Sequence, residues 1–525
     1  MITFSYNAFI FSRLILKTNE VQKMNLRKSN NKKNFNNIIL IISFFIIILI
    51  PVLFMNFKRD QVSYIDNRKL LEIEDIFIEG NVFTNIKNYV DDRIGFRTKM
   101  VDLYSVFMDK LFHEITHPKY EYGKDDFIMS KAEENEFNPE FMEIYADFIK
   151  EFQEYCNERN IKFLYAVEPR KELIYPEYIA EGYKYENKDI EYFIELLEIN
   201  GVNYLNNIDT LKEAKEIGVE ESLNKLYLNE KTIENGEVNY TQINSNLLFD
   251  QKYDARHWNE AGAIIAISTI IDRLNLLDSR VDKFNLSKYK AEEYINETLV
   301  ASNFKINEKT NHFNLINDNS IYIEDLEDEI IRHESFRNFT HYKNLENKDA
   351  PRILIFAGSY FENKEKFLTE SFSEVIKVHN YRNVIDYEYY INIFNPDIVL
   401  FESTEYTHFD FYFPGNEMKN KIHIQSLETL IYREGIKEEN FVTVNEVNRE
   451  GNDLINFTIE ILSDEDLFAY AHINNRVLDC KVKEEDNKNL VEFSIISSEI
   501  SDIDSFDLYL VSKNNNKYKN ISFNI

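Results

Sequence analysis

Ile353-Leu354-Ile355-Phe356-Ala357-Gly358-Ser359-Tyr360 is an unbroken apolar run that ends in a Gly-Ser turn. A strand wet on one side would alternate apolar and polar residues. A continuous run reads instead as a parallel strand covered on both faces. Asp397-Ile398-Val399-Leu400-Phe401, introduced by Pro396, has the same character, and residues 161–167 form another such run, ending at Glu168-Pro169-Arg170-Lys171. Val202-Asn203-Tyr204-Leu205 is a weaker strand candidate. Helical patterns lie between them. Phe141, Ile144, Tyr145, Phe148 and Phe152 recur at steps of one, three and four, and Ala261, Ile264, Ile267, Ile271 and Leu274 at steps of three and four. Strands alternating with helices predict a flavodoxin-like α/β domain over residues 136–433, with its site at the C-terminal edge of a parallel sheet. Ser359, Glu168-Pro169-Arg170-Lys171 and Glu402 all follow predicted strands and are expected on that edge.

A second stretch supplies what a serine there would need. Tyr253-Asp254-Ala255-Arg256-His257-Trp258-Asn259 holds an Asp three residues before a His, then the single Trp of the chain, and Glu260-Ala261-Gly262-Ala263 opens a helix. A serine hydroxyl is a poor nucleophile until a base takes its proton. His257 fits that role, and Asp254 fits the role of holding the imidazole in the required tautomer. Gly358 lets the backbone approach closely at the turn, where N–H groups can meet a developing oxyanion. The plain alternative for Ser359 alone is a helix N-cap. No metal or cofactor is expected, because the ten histidines are scattered and none makes a ligand-spaced pair.

Composition and flanks set the context. The chain has 525 residues and a formal net charge of −31, which argues against nucleic-acid partners. Residues 38–55 are apolar except for Ser43 and Pro51, about 27 Å of helix, enough to cross a hydrocarbon core. Arg27, Lys28, Lys32 and Lys33 precede this run. They predict a cytoplasmic, disordered tail over 1–36, a signal anchor over 37–56, and a single-pass protein whose remainder lies outside the membrane. Residues 57–135 read as a juxtamembrane helical region. Within it, Asp91-Asp92-Arg93-Ile94-Gly95-Phe96-Arg97 reads as a salt-bridged helix junction. Insertions are expected at about 216–248 and 280–348. After residue 434, apolar runs every ten residues or so predict a small antiparallel β-sandwich, either a sugar-binding module or plain structural packing. Cys156 and Cys480 lie far apart, with both free thiols and a disulfide left open.

Over roughly residues 62–410 the chain resembles the SGNH-hydrolase-like proteins of polysaccharide O-acetylation, the group that includes the periplasmic alginate O-acetyltransferases and the DHHW proteins. The resemblance rests on the order of several motifs. They are Asp66-Asn67-Arg68, Asp92-Arg93 with Phe96-Arg97, Gly123-Lys124-Asp125, and Pro169-Arg170-Lys171 with Tyr175-Pro176-Glu177. There follow His257-Trp258-Asn259 with Gly262-Ala263, then Gly358-Ser359, and Pro396-Asp397-Ile398-Val399. It implies Ser359 as acyl-accepting nucleophile, His257 as base and Asp254 as orienter. Gly358, Arg170, Lys171 and Trp258 are the candidates for oxyanion or substrate contacts. The implied reaction transfers acetyl to a hydroxyl of an extracytoplasmic polysaccharide, with a membrane-bound O-acyltransferase partner supplying the acetyl group. Two departures stand out. Ala357-Gly358-Ser359 replaces the family's Gly-Asp-Ser, and Asp-x-x-His replaces its Asp-x-His. A carbohydrate esterase using the same three residues, and a non-catalytic glycan-binding protein on a degenerate fold, are the alternative expectations.

Overall fold

The computed structural model describes residues 37–57, 62–63, 68–77, 81–117, 119–131, 137–183, 185, 188–227, 246–300, 302, 304–432, 436–438, 442–485, 488–500, 504–514 and 517–524. The expected tail over 1–36, Asp66-Asn67 and most of the first insertion (228–245) lie outside them. The chain divides into two compact units, one of residues 1–116 with 298–305 and the other of 117–297 with 306–525.

In the first unit, residues 37–53 form a helix with apolar side chains exposed along its length. Among the described residues no helix is long and apolar enough to cross a membrane. The exit of the 37–53 helix is fixed by the corner between helices Val82–Arg93 and Arg97–Phe112. The Gly95 amide donates to the Pro51 carbonyl (2.9 Å) and the Asn56 amide to the Arg93 carbonyl (2.8 Å), which turns the chain there. A Cβ on Gly95 would sit 2.3 Å from the Phe54 carbonyl oxygen, so this approach needs glycine. At the corner itself Asp92 accepts the Leu71 amide (3.1 Å), and the Arg93 guanidinium lies over the Tyr89 ring.

The second unit is mixed α/β. Among its described residues a seven-stranded sheet is built from β1 (Lys162–Glu168), β2 (Tyr204–Asn206), β3 (Ser320–Tyr322), β4 (Phe339–Asn344), β5 (Arg352–Ala357), β6 (Glu374–His379) and β7 (Ile398–Thr404). Their spatial order is β2-β1-β7-β5-β6-β4-β3. The pairs β2/β1, β1/β7, β7/β5 and β5/β6 are parallel, whereas β4 and β3 add on antiparallel. In β5 the two faces divide by alternation. Ile353, Ile355 and Ala357 enter one core with helices α3 (Asn207–Ile217) and α4 (Glu260–Leu277). Leu354 and Phe356 enter the other, with α1 (Pro139–Glu158), α2 (Lys188–Ile199) and α5 (Tyr387–Phe394). Both faces are therefore dry, which explains the unbroken apolar run. Residues 280–348, expected as an insertion, carry regular structure of their own. They contain the hairpin Tyr289–Thr298/Lys305–Leu315 and the two antiparallel edge strands.

The C-terminal strands form one eight-stranded sheet rather than two separate sheets. The sheet folds over on itself. Phe457 on strand Leu454–Leu462 and Phe506 on strand Ser505–Ser512 are not sheet neighbours, yet their ring centroids are 5.5 Å apart inside one shared core. Asp479 on strand Arg476–Glu485 ties this sheet to α1, accepting from Arg159 Nε (2.9 Å) and Nη2 (2.8 Å) and from the Tyr155 hydroxyl. Cys156 and Cys480 are both buried and unpaired, which excludes the disulfide.

Candidate active site

The parallel strands end together, and the residues that follow them meet at the C-terminal edge. Asp254 organises the loop before α4. Its Oδ1 accepts the backbone N–H groups of Arg256 (2.8 Å) and His257 (3.1 Å), a local turn that an Asp at this spacing makes readily. This leaves Oδ2 facing His257 Nδ1 at 2.9 Å. Asn259 then caps α4, its Oδ1 accepting the Gly262 amide (3.0 Å). A Cβ at Gly262 would lie 2.3 Å from the Leu248 carbonyl oxygen, which explains the glycine. From the other side, β5 delivers Ser359 at the start of a short 3₁₀ turn, Ser359–Phe361. Ser359 Oγ lies 2.8 Å from His257 Nε2. The Asp254 carboxylate accepts only, so Nδ1 carries the proton it receives and Nε2 is left to accept the Ser359 hydroxyl proton.

Burial and charge act against each other here. Burial lowers the basicity of His257, but the Asp254 carboxylate outweighs it and the imidazole is raised overall. Burial likewise opposes ionisation of Asp254. The His257 charge and the hydrogen bonds it accepts prevail, holding Asp254 at about 2. The imidazole keeps 30 % of its side-chain surface, which leaves an approach for a reactant. At the first residue of α4, Glu260 accepts from Lys366 Nζ (2.8 Å) and the Phe313 amide (2.6 Å). This clamps the start of α4 to the chain just beyond Ser359.

The other expected site residues take different positions. Trp258 is buried and donates its indole N–H to the Tyr360 carbonyl (2.9 Å), joining the His and Ser loops. The Tyr360 hydroxyl lies within hydrogen-bond reach of both the Arg256 (2.6 Å) and Pro169 (2.9 Å) carbonyls and donates its single proton to one of them at a time. Lys171 is fully buried, with its ammonium spread over the carbonyls of Ile128 (2.8 Å), Gln251 (3.0 Å) and Asp254 (3.1 Å). It therefore fastens the Asp254 loop from below and has no hydrogen bond left for a substrate. Burial pushes it down to about 8. Arg170 grips Glu405 with two nitrogens, at 2.6 and 2.9 Å, and is thus engaged as an ion pair. The Gly358 amide donates to the Glu402 carboxylate (2.9 Å), so it is not an oxyanion donor in this arrangement.

Further residues gather at this edge, and two of them, Glu168 and Glu402, stand where the strand ends led us to expect them. Glu402 and Glu168 sit on the same face of neighbouring strands, both fully buried, with Glu168 held by Asn207 Nδ2 at 2.9 and 3.0 Å. Burial raises Glu402 to about 7, and burial together with Glu402 raises Glu168 well above the carboxylate range. Asn380 donates to the Glu402 carbonyl (2.6 Å) beside the nucleophile turn. The Tyr406 ring lies between the guanidinium groups of Arg170 and Arg256, each 5.3 Å from its centroid. Asn380, Asn207 and Tyr406 carried no signal in the sequence.

No protein-family model matches the chain, and no curated protein matches it. Among solved structures, Bacillus cereus PatB1 is similar with a TM-score of 0.40 at 16% identity, over 54% of this chain and 95% of that one. The O-acetyltransferase domain of Pseudomonas putida AlgJ gives 0.36 at 14% identity, over 59% and 95%. Pseudomonas aeruginosa AlgX gives 0.34 at 12% identity, over 71% of this chain and 85% of that one.

Proposed function

We propose that this chain is an O-acetyltransferase that moves acetyl groups onto hydroxyls of a polysaccharide, with Ser359 as nucleophile. The observation that carries the reading is the continuous relay from the Asp254 carboxylate through His257 to the Ser359 hydroxyl, at 2.9 and 2.8 Å. In the first half-reaction Ser359 Oγ attacks the donor's acetyl carbonyl while His257 Nε2 takes its proton. The donor's alcohol leaves with that proton, and the acetyl group is held as a serine ester. In the second half, an acceptor hydroxyl attacks that ester and passes its proton to His257. Ser359 then departs and recovers the proton. Asp254 keeps the imidazole in the tautomer both steps need and stabilises its positive charge when it is protonated.

The acetyl donor is supplied by a membrane-bound O-acyltransferase partner, and the chain works outside the membrane, attached through the helix at 37–53. What supports attachment is the row of exposed apolar side chains from Ile38 to Phe54 and the basic residues that precede it in sequence. Incubating the chain with an activated acetyl ester and a glycan tests the activity. New acetyl ester on the glycan, abolished in Ser359→Ala, supports transfer. Release of free acetate alone marks an esterase, and no ester consumption defeats both.

A further inference from the structure

A cleft opens between the hairpin Tyr120–Tyr122/Ile128–Ser130 and the chain around Ile179, Ala180, Tyr183 and Tyr185. Its walls are firm. The Phe127 and Tyr178 rings stack at 3.8 Å, and a Cβ on Gly123 would fall 2.0 Å from the Tyr178 carbonyl oxygen, so hairpin and loop are pressed together. One hydrogen bond links its wall to the histidine loop. Ser130 Oγ, on the cleft wall, accepts from Nε of Arg256, the residue before His257, at 3.0 Å.

The chemistry of the lining narrows what fits. Glu172 is 6 % exposed; its Oε1 accepts the Ser130 amide (3.0 Å), whereas Oε2 is buried with no hydrogen-bond partner. A buried acceptor in that state calls for a donor, and a neutral hydroxyl supplies one without adding charge. Arg170 also lines the cleft, but its guanidinium is committed to Glu405. The cleft thus presents the carboxyl groups of Glu121 and Glu172 against the ammonium of Lys131, a balance that does not attract a polyanion. The Tyr185 ring is held under Arg170 at 4.7 Å, and Tyr183 stands 53 % exposed, an aromatic surface at the mouth of a polar cleft. Aromatic faces beside hydroxyl-matched polar groups are the combination that suits the apolar C–H face and polar rim of a sugar ring.

We infer that this cleft is an acceptor subsite holding one neutral pyranose unit, whose hydroxyl donates to Glu172 Oε2 and whose ring face covers Tyr183. Calling it an acceptor subsite rests on the transferase reading; the sugar binding itself does not. The test titrates the full chain with cellohexaose, with chitohexaose and with hexagalacturonate, following binding by calorimetry. A neutral hexaose binds, Tyr183→Ala and Glu172→Gln each weaken it about tenfold, and Tyr322→Ala on the far strand β3 leaves it unchanged. Failure of both neutral hexaoses to bind overturns the inference, as does binding indifferent to Tyr183→Ala or a preference for the uronate. Ser359→Ala separates the two readings, since it retains sugar binding while losing acetyl-ester turnover. A wild-type chain inert to activated esters but with Tyr183-dependent sugar binding loses the transferase reading and keeps the subsite.

Discussion

Two buried ionic regions in the second unit follow opposite rules. Where α1 meets the C-terminal sheet, one guanidinium faces one carboxylate: Arg159 reaches both oxygens of Asp479 and lies over the Tyr155 ring, so attraction offsets desolvation. At the C-terminal edge of the seven-stranded sheet, Arg170 and Glu405 pair, but other buried charged groups have no opposite partner. Glu402 neighbours Glu168, both held towards their protonated forms, and Lys171 is met only by carbonyl oxygens and is depressed. The first arrangement joins layers. The second leaves groups with displaced proton affinities around a serine, the condition that marks sites of chemistry more often than sites of packing.

The contrast can be broken most severely at the nucleophile. Ser359→Ala lowers turnover of an activated acetyl ester by on the order of 10⁵-fold or more, while circular dichroism stays native. Asp254→Asn comes next, with a loss of about 10⁴-fold because the imidazole is no longer held in the working tautomer. The pH profile sharpens this result. His257 must be neutral to act as base, so activity rises with pH through its ionisation. Since Asp254 raises His257, that rise centres above the ordinary histidine value in the wild type and moves to lower pH in Asp254→Asn.

The ion pair at the weld affects stability instead. Asp479→Ala strands the Arg159 charge and lowers unfolding free energy by about 3–5 kcal/mol in denaturant titrations, without changing turnover per folded molecule. The smallest effect belongs to the acid pair. A carboxyl whose folded affinity for protons is raised favours the folded state below its unfolded value and loses that contribution as pH climbs through the folded one. For Glu402 the window runs from about 4.3 to about 7. Thermal stability accordingly falls across that range, and Glu168→Gln, which removes the neighbouring acid, reduces the fall by roughly 2–4 °C. An unchanged slope contradicts the coupling of the two acids.

Chain pattern alone reached the core of this arrangement for a definable reason. β1, β5 and β7 are covered on both faces, so each advertises itself as continuous apolar sequence. β4 lies towards the edge and alternates, Phe339 and His341 being buried while Thr340 and Tyr342 are not, so Phe339–Asn344 reads as polar chain. The curled C-terminal sheet misled in another way. Spacing reveals strands, but whether they form two sheets or one depends on strand Arg476–Glu485, whose first half pairs with Leu467–Ile473 and whose second half pairs with Lys488–Ile496.

Sequence by itself determined the strands that end in Ser359 and Glu168, and the Asp254–His257 spacing that one local turn can satisfy. Those features depend on neighbours in the chain or on a period that burial imposes. Only the tertiary structure decided that Glu405 occupies Arg170 from 235 positions away, that Lys171 is consumed by three carbonyls, and that Glu172, on a cleft wall, keeps an unpartnered oxygen. Charge pairing and desolvation act through space, and the distance between two side chains is set by the packing of layers that no local pattern encodes.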